Sequence, residues 1–173
     1  MVSDSTLGNE SFREGWAISE QVKTVAIPML DDGLNLATED SEAFDMVVDS
    51  FKLPKDTDQL KSERRDAIRS ATLGAAEVPY RTAVSALRLL KLLPELASKG
   101  NPNAASDAGV ASLLASAALK GAIFNVEINL QSLPEDYGID MRKGLPGLIE
   151  DGRIYSRQAM DAVAFHADNS ESA

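Results

Sequence analysis

The hydrophobic residues of this chain recur at steps of three and four positions, which is the spacing of amphipathic helices. One such stretch covers residues 11–38, and Pro28 is predicted to interrupt it. A second covers residues 40–51, with these side chains predicted to point inward: Ala43, Phe44, Val47, Val48 and Phe51. It ends before Pro54, because the residue preceding a proline avoids helical geometry.

A long third helix is predicted to follow. Thr57 or Asp58 can cap its start, Pro79 should bend it, and Gly100 should end it. Its apolar positions continue at helical spacing through Leu93. The pattern therefore predicts a long, kinked central helix.

Two more helices complete the predicted fold. Ser106 is a plausible N-cap for a fourth helix that runs to about Gln131. After a loop over residues 133–138, a last helix covers residues 141–165 and is disturbed near Pro146. Because no alternating strand pattern is found, we predict an all-α bundle of about five antiparallel helices.

The pattern divides the chain into three parts. Residues 1–10 are polar and are expected to be disordered or a remnant, residues 11–167 form a single helical domain, and residues 168–173 form a polar tail. Some apolar stripes are wide for a monomer of this size. We therefore expect a homodimer that buries one of them.

Composition narrows the class of partner. The formal net charge of −10 argues against nucleic acid and against an anionic membrane as partners. The chain has no cysteine and one histidine, His166, which is expected on an exposed tail, so we predict no metal site. We expect no membrane span and no signal peptide, and predict a cytoplasmic protein.

Two polar features stand out on this apolar background. Residues 100–107 form a polar turn that leads into a helix, and Asn125 and Asn129 lie one helical turn apart on an otherwise apolar helix. Buried amides need hydrogen-bond partners, which other side chains or a ligand must supply. The pair therefore indicates either an interhelical lock or a binding site.

Several motifs in a fixed order carry a family resemblance. They are Asp40-x-x-Ala43-Phe44, Phe51-x-Leu53-Pro54-Lys55, Arg64, Val78-Pro79, Gly100-Asn101, Ser106-Asp107 and Asn125-Val126-x-Ile128-Asn129-Leu130. Over roughly residues 7–165 the chain resembles the cyclodeaminase/cyclohydrolase family of folate enzymes. Family members usually begin with a Pro-Gly-Gly-Gly-Ser turn and an Ala-rich helix, and this segment is expected to be missing here.

The resemblance implies chemistry on the one-carbon bridge of tetrahydrofolate. A cyclohydrolase converts 5,10-methenyltetrahydrofolate to 10-formyltetrahydrofolate, and a cyclodeaminase closes the 5-formimino form and releases ammonia. Neither is expected to need a cofactor or a metal. The alternative is a non-catalytic or truncated member that binds folate or a partner protein.

Asp40 is the predicted catalytic carboxylate, since it matches the aspartate of the family pattern. A carboxylate can stabilise the cationic carbon and shuttle a proton. The alternative is that Asp40 caps a helix beginning at Ser41. If Glu127 were buried, it would compete for the same role.

The other candidates are predicted to bind substrate. Asp107, with Asn101 and Ser106 nearby, either recognises the pterin ring or stabilises the turn and the helix start. Asn125 and Asn129 either orient the substrate or lock helices together. A basic group, formed by Lys55, Lys61 and Arg64, is either a solvated face or a site for the folate glutamate tail, which is polyanionic when polyglutamylated.

Overall fold

The computed structural model describes residues 1–170, and within them every regular element is helical. The helices are α1 (Val2–Thr6), α2 (Trp16–Ala26), α3 (Pro28–Phe51), α4 (Asp58–Leu90), α5 (Leu93–Lys99), α6 (Ala105–Gln131) and α7 (Ile139–Ser170). Short 3-10 helices cover Glu10–Gly15 and Pro102–Ala104. The all-α fold is confirmed, and α2, α3, α4, α6 and α7 are the long helices of the bundle.

Helix α4 is the centre of the bundle. It packs against α3, α6 and α7. Short connections join α3 to α4 and α6 to α7, so the members of each pair run antiparallel. The most deeply buried large side chains lie on α4, α5 and α6: Leu90, Leu93, Leu119, Val126 and Leu130.

Two prolines shape this central region differently. Pro79 lies inside α4, as predicted, and the helix continues past it. The predicted run to Gly100 is wrong, because α4 ends at Leu90 and the shorter α5 carries the chain onward. Pro94 explains the break, since it has no N–H for the Leu90 carbonyl and its ring would clash with that carbonyl.

The amino-terminal residues 1–10, expected to be disordered or a remnant, contain a short helix and the start of a 3-10 helix. Residues 2–6 form α1, and the Trp16 indole N–H donates to the carbonyl oxygens of Thr6 at 3.0 Å and Asn9 at 3.2 Å. The buried Thr6 hydroxyl accepts the Asn101 N–H at 2.9 Å. At the other end α7 continues through Ser170, and the last residues of the predicted polar tail, 171–173, lie outside the described residues.

Helix α3 differs most from expectation. It runs unbroken through the boundary predicted near Asp40, because residues 38–41 contain neither glycine nor proline to end a helix. Phe44, Val48 and Phe51, predicted to point inward, are exposed. Helix α4 covers one side of α3, and the rest of its apolar surface faces solvent.

One apolar segment contradicts the expectation that no run is long enough for a membrane. Residues 102–131, which include α6, are long and apolar enough to cross one by length and composition alone. The core helix of a soluble protein can meet the same test, and 44% of the 18-residue window that meets it here is buried inside the fold. Several large apolar side chains of α6 are nevertheless exposed, among them Leu114, Phe124 and Ile128.

Candidate functional site

A groove between α3, α4 and α6 brings two of the predicted site residues together. Asp40 of α3 and Asn125 of α6 both line it, although 85 positions separate them in the chain. The remaining lining residues are Gly33, Leu36, Ala37, Pro79, Thr82, Ala118 and Ala122. Helices α3 and α6 both pack against α4, so a carboxylate and a carboxamide share an otherwise mostly apolar cleft.

Asp40 supplies the charge of this groove. It lies in the middle of α3, so the alternative that it caps a helix is wrong. The neighbouring Glu39 forms an ion pair with Arg81 of α4, whereas Asp40 has no ion-pair partner among the described residues. The Asp40 carboxylate is therefore available to a cationic substrate or to a proton.

Asn129 has a defined structural partner. Its side-chain N–H donates to the backbone carbonyl of Ala75 at 3.0 Å. Ala75 lies four residues before Pro79, so its carbonyl is the one that lacks an N–H donor in the helix. The predicted interhelical amide bond is thus present at Asn129. It supplies a donor to the carbonyl that Pro79, a residue of the groove, leaves without one.

The predicted turn residues lie at the opposite end of α6. Asp107 precedes Asn125 by 18 positions, which separates them by about 27 Å along the helix. The Asn101 side chain accepts the Asn103 N–H at 3.0 Å, so it stabilises the turn. Within one chain, Asn101, Ser106 and Asp107 cannot share a pocket with Asp40.

Ser106 is not the N-cap of α6. The helix begins at Ala105, after the 3-10 turn Pro102–Ala104, so Ser106 lies in its first turn and is exposed. The turn capped by Asn101 starts the helical geometry before Ser106 is reached. Asp107 lies in the same first turn, where a carboxylate interacts favourably with the helix dipole.

The basic group lies at the α3–α4 connection. Lys61 pairs with Asp58 at 2.9 Å, and the Arg64 guanidinium donates to the Phe51 carbonyl at 3.0 Å. The Lys55 ammonium is exposed, with no ion pair among the described residues. Arg64 is about 22 Å along α4 from Pro79, so this group borders no part of the groove itself.

Three further residues are placed by the fold: Thr82, Glu127 and His166. Thr82, which the sequence reasoning missed, lines the groove. It follows Pro79 by three residues, and this spacing indicates in the sequence that both lie on one face of a helix. Glu127 borders a separate hollow between α6 and α7 and does not compete with Asp40 in the groove. His166 lies on α7, with a ring nitrogen 3.3 Å from the Ser98 carbonyl oxygen.

Comparison with known proteins places this arrangement in a family. The family model described as formiminotransferase-cyclodeaminase matches residues 1–143. A methenyltetrahydrofolate cyclohydrolase of Methylorubrum extorquens is 32% identical over 94% of this chain and 79% of its own. The formimidoyltransferase-cyclodeaminase of Sus scrofa is 31% identical over 75% of this chain, which spans only 24% of that longer protein.

A solved structure shares the fold. The formiminotetrahydrofolate cyclodeaminase of Thermotoga maritima superposes with a TM-score of 0.74, covering 98% of this chain and 79% of that one. The sequence identity is 23%, so this likeness supports the helical architecture alone. The family model and the relatives of similar sequence support an assignment that goes beyond the fold.

Proposed function

The chain belongs to the formiminotransferase-cyclodeaminase family, and on that premise we propose that it hydrolyses 5,10-methenyltetrahydrofolate to 10-formyltetrahydrofolate. The relative that matches over most of both chains is named as a methenyltetrahydrofolate cyclohydrolase. The observation that carries the proposal is the meeting of Asp40 and Asn125 in one groove. A carboxylate can stabilise a cationic one-carbon centre, and a carboxamide can form hydrogen bonds beside it.

The proposed chemistry uses a carboxylate and a water molecule. The methenyl carbon bridges N5 and N10 as an amidinium cation, and the negative charge of Asp40 stabilises it. Water adds to this carbon while Asp40 accepts the proton that the water loses. The bond to N5 then breaks as the added hydroxyl gives up its remaining proton and becomes the formyl oxygen on N10. N5 takes up one of the two protons that the water has lost, so the reaction releases one proton overall.

The other groove residues position the substrate in this proposal. The Asn125 amide both donates and accepts hydrogen bonds, which suits a pterin ring or the attacking water. Thr82 and the apolar lining favour a flat, partly apolar ligand. Because the one-carbon unit keeps its oxidation state, the reaction as proposed needs no redox cofactor, and no step of the proposal uses a metal.

Cyclodeamination is the second candidate, and the relatives named as formimidoyltransferase-cyclodeaminases favour it. In that reaction the N10 nitrogen attacks the formimino carbon on N5, and ammonia leaves. The same carboxylate would transfer the proton that the leaving nitrogen needs. In this proposal, the same carboxylate can transfer the protons of either reaction.

The first test is a spectroscopic assay of the purified chain. We expect the absorbance of 5,10-methenyltetrahydrofolate to decay faster than its spontaneous rate across a range of pH. Decay at the spontaneous rate throughout would exclude the cyclohydrolase function. A second assay supplies 5-formiminotetrahydrofolate and measures ammonia, which decides whether cyclodeaminase activity is present.

The basic group extends the proposal to polyglutamylated substrates. Lys61 and Arg64 are already engaged by their own chain, so Lys55 is the cation we expect to meet a glutamate tail. Lys55→Ala should raise KM for a polyglutamylated substrate by a few-fold, the size of a single exposed charge pair of about 0.5–1 kcal/mol. An equal rise in KM for the monoglutamate form would argue against this role.

Two expectations complete the proposal. We propose that the chain works in the cytoplasm and as a homodimer. The apolar side chains that α3 and α6 expose motivate the homodimer. Sedimentation of the purified chain would test it, and a monomer at assay concentration would contradict it.

A further inference from the structure

The hollow between α6 and α7 is larger than the groove and has no part in the proposed reaction. It encloses about 640 Å³, against about 260 Å³ for the groove, and sites for small ligands hold roughly 300–1,000 Å³. Ile123 borders the hollow and Ala118 borders the groove, and five residues of helix separate them by about 140° around α6. A ligand in the hollow would therefore leave the groove free.

The floor of the hollow is apolar and closed. Gly152 of α7 lies directly against Leu119 of α6, since a β-carbon added at Gly152 would collide with the Leu119 side chain. Leu119 and Ile123 are buried there, and Ile149 and Met160 extend the apolar lining toward solvent. Because aliphatic and thioether chains predominate, this floor suits a flexible aliphatic body.

The charged residues of the hollow are separated along its length. Helices α6 and α7 run antiparallel, and the contact at the floor places Lys120 and Arg153 at nearly the same level. Arg157 lies about 6 Å from that level in one direction, and Glu127 lies about 10 Å from it in the other. One end of the hollow is therefore basic, and the other end is apolar and carries the Glu127 carboxylate.

Lys120 is the cation that remains available to a ligand. Arg153 donates to the Glu150 carboxylate at 2.7 and 3.0 Å, and Arg157 lies 3.8 Å from Asp161. The Lys120 ammonium is exposed and has no ion pair among the described residues. The basic end thus offers a single unpaired positive charge, on a chain whose net charge is −10. A head group with one negative charge matches it.

We propose that this hollow binds a medium-chain aliphatic carboxylate. The carboxylate pairs with Lys120 at the basic end, and the chain lies along Ile123 and Ile149. The distance of about 10 Å between Lys120 and Glu127 limits the length of the chain. Glu127 repels a second anionic group, so the ligand has one charged end and one apolar end. The proposal does not rest on the proposed function, since no residue of the groove takes part.

Calorimetric titration of the purified chain with decanoate, below the concentration at which it forms micelles, tests the ligand class. We expect saturable binding that weakens at least tenfold for hexanoate, because each buried methylene is worth about fourfold in affinity. Decanol lacks the charge, and decanedioate places a second carboxylate near Glu127, so each should bind more weakly than decanoate. No binding of decanoate, or equal binding of any of the other three, would overturn the proposal.

A matched pair of lysine variants tests the location. Lys120→Glu should weaken decanoate binding by about tenfold, because it replaces the attraction of one exposed charge with a repulsion. Lys143→Glu makes the same change of net charge at an exposed lysine of α7 that does not line the hollow, so binding should stay within a factor of two. Unfolding temperatures check that both variants keep the fold. Equal losses in the two variants, or wild-type binding in Lys120→Glu, would overturn the site.

One further variant separates the hollow from the groove without reference to turnover. Asp40→Asn removes a negative charge from the groove, so an anion bound there would bind more tightly to this variant. A carboxylate in the hollow should bind Asp40→Asn and wild type within a factor of two. Binding that tightens several-fold in Asp40→Asn would place decanoate in the groove and overturn the proposal. An inactive wild type that still binds decanoate as described would refute the proposed function alone.

Discussion

Replacing Asp40 with asparagine should lower turnover of 5,10-methenyltetrahydrofolate by about 10²–10⁴-fold, the usual contribution of a positioned acid–base group. Asparagine keeps the size of the side chain but cannot accept the proton or balance the cationic carbon. Because Asp40 is exposed and has no ion pair among the described residues, the fold should tolerate the change. Turnover in the absorbance assay, measured beside the unfolding temperature, checks both statements.

Asp45→Asn is the control for this experiment. Asp45 is also an exposed carboxylate of α3, but five residues further on, which is about 140° around the helix from Asp40. It does not line the groove, so its loss should leave turnover within a factor of two of wild type. Wild-type turnover in Asp40→Asn, or equal losses in both variants, would remove Asp40 from the catalytic role.

Asn129→Ala should lower the free energy of unfolding by about 1–3 kcal/mol, the cost of leaving a partly buried carbonyl without its donor. The carbonyl is that of Ala75, and it lacks a helical donor because residue 79 is proline. We expect this loss of stability because Pro79 leaves the Ala75 carbonyl without a helical donor, and not because the side chain loses packing contacts. Urea unfolding of the single variant measures it.

A double-mutant cycle with Pro79→Ala isolates this cause. Alanine at position 79 has the N–H that proline lacks, so the helix can satisfy the Ala75 carbonyl without help from Asn129. In that background Asn129→Ala should therefore cost much less than in the wild type. An equal cost in both backgrounds would show that Asn129 stabilises the fold by some other contact.

The local pattern of the chain predicted most helices and misplaced those ends that depend on single prolines and on capping. The end of α6 at Gln131 and the loop before α7 agree with the spacing of apolar residues and with Gly138, which adopts a positive φ of 65°. The boundary expected near Asp40 does not exist, because aspartate caps a helix only where the chain already turns. The break after Leu90 was missed because Pro94 follows an otherwise unbroken apolar pattern.

The candidate site also has features that the sequence predicted and features that it did not. The motifs indicated Asp40 and Asn125 separately, and their meeting depends on how α3 and α6 both pack against α4. They also grouped Asp107 with Asn125, although about 27 Å of α6 separates the two. Sequence order along one helix gives distance along its axis, but which residues of other helices lie beside it depends on packing between elements distant in the chain.

The sequence by itself determined most of the helices, the family and the residue types of the candidate site, because helical periodicity and short motifs are local properties. Only the tertiary structure decided that Asn129 bonds to the carbonyl freed by Pro79, that Asp40 faces a groove, and that Phe44 and Phe51 are exposed. An apolar residue at helical spacing looks the same in sequence whether its own chain or a second chain covers it. Burial depends on which neighbours are present, and on α3 and α6 one chain supplies only part of them.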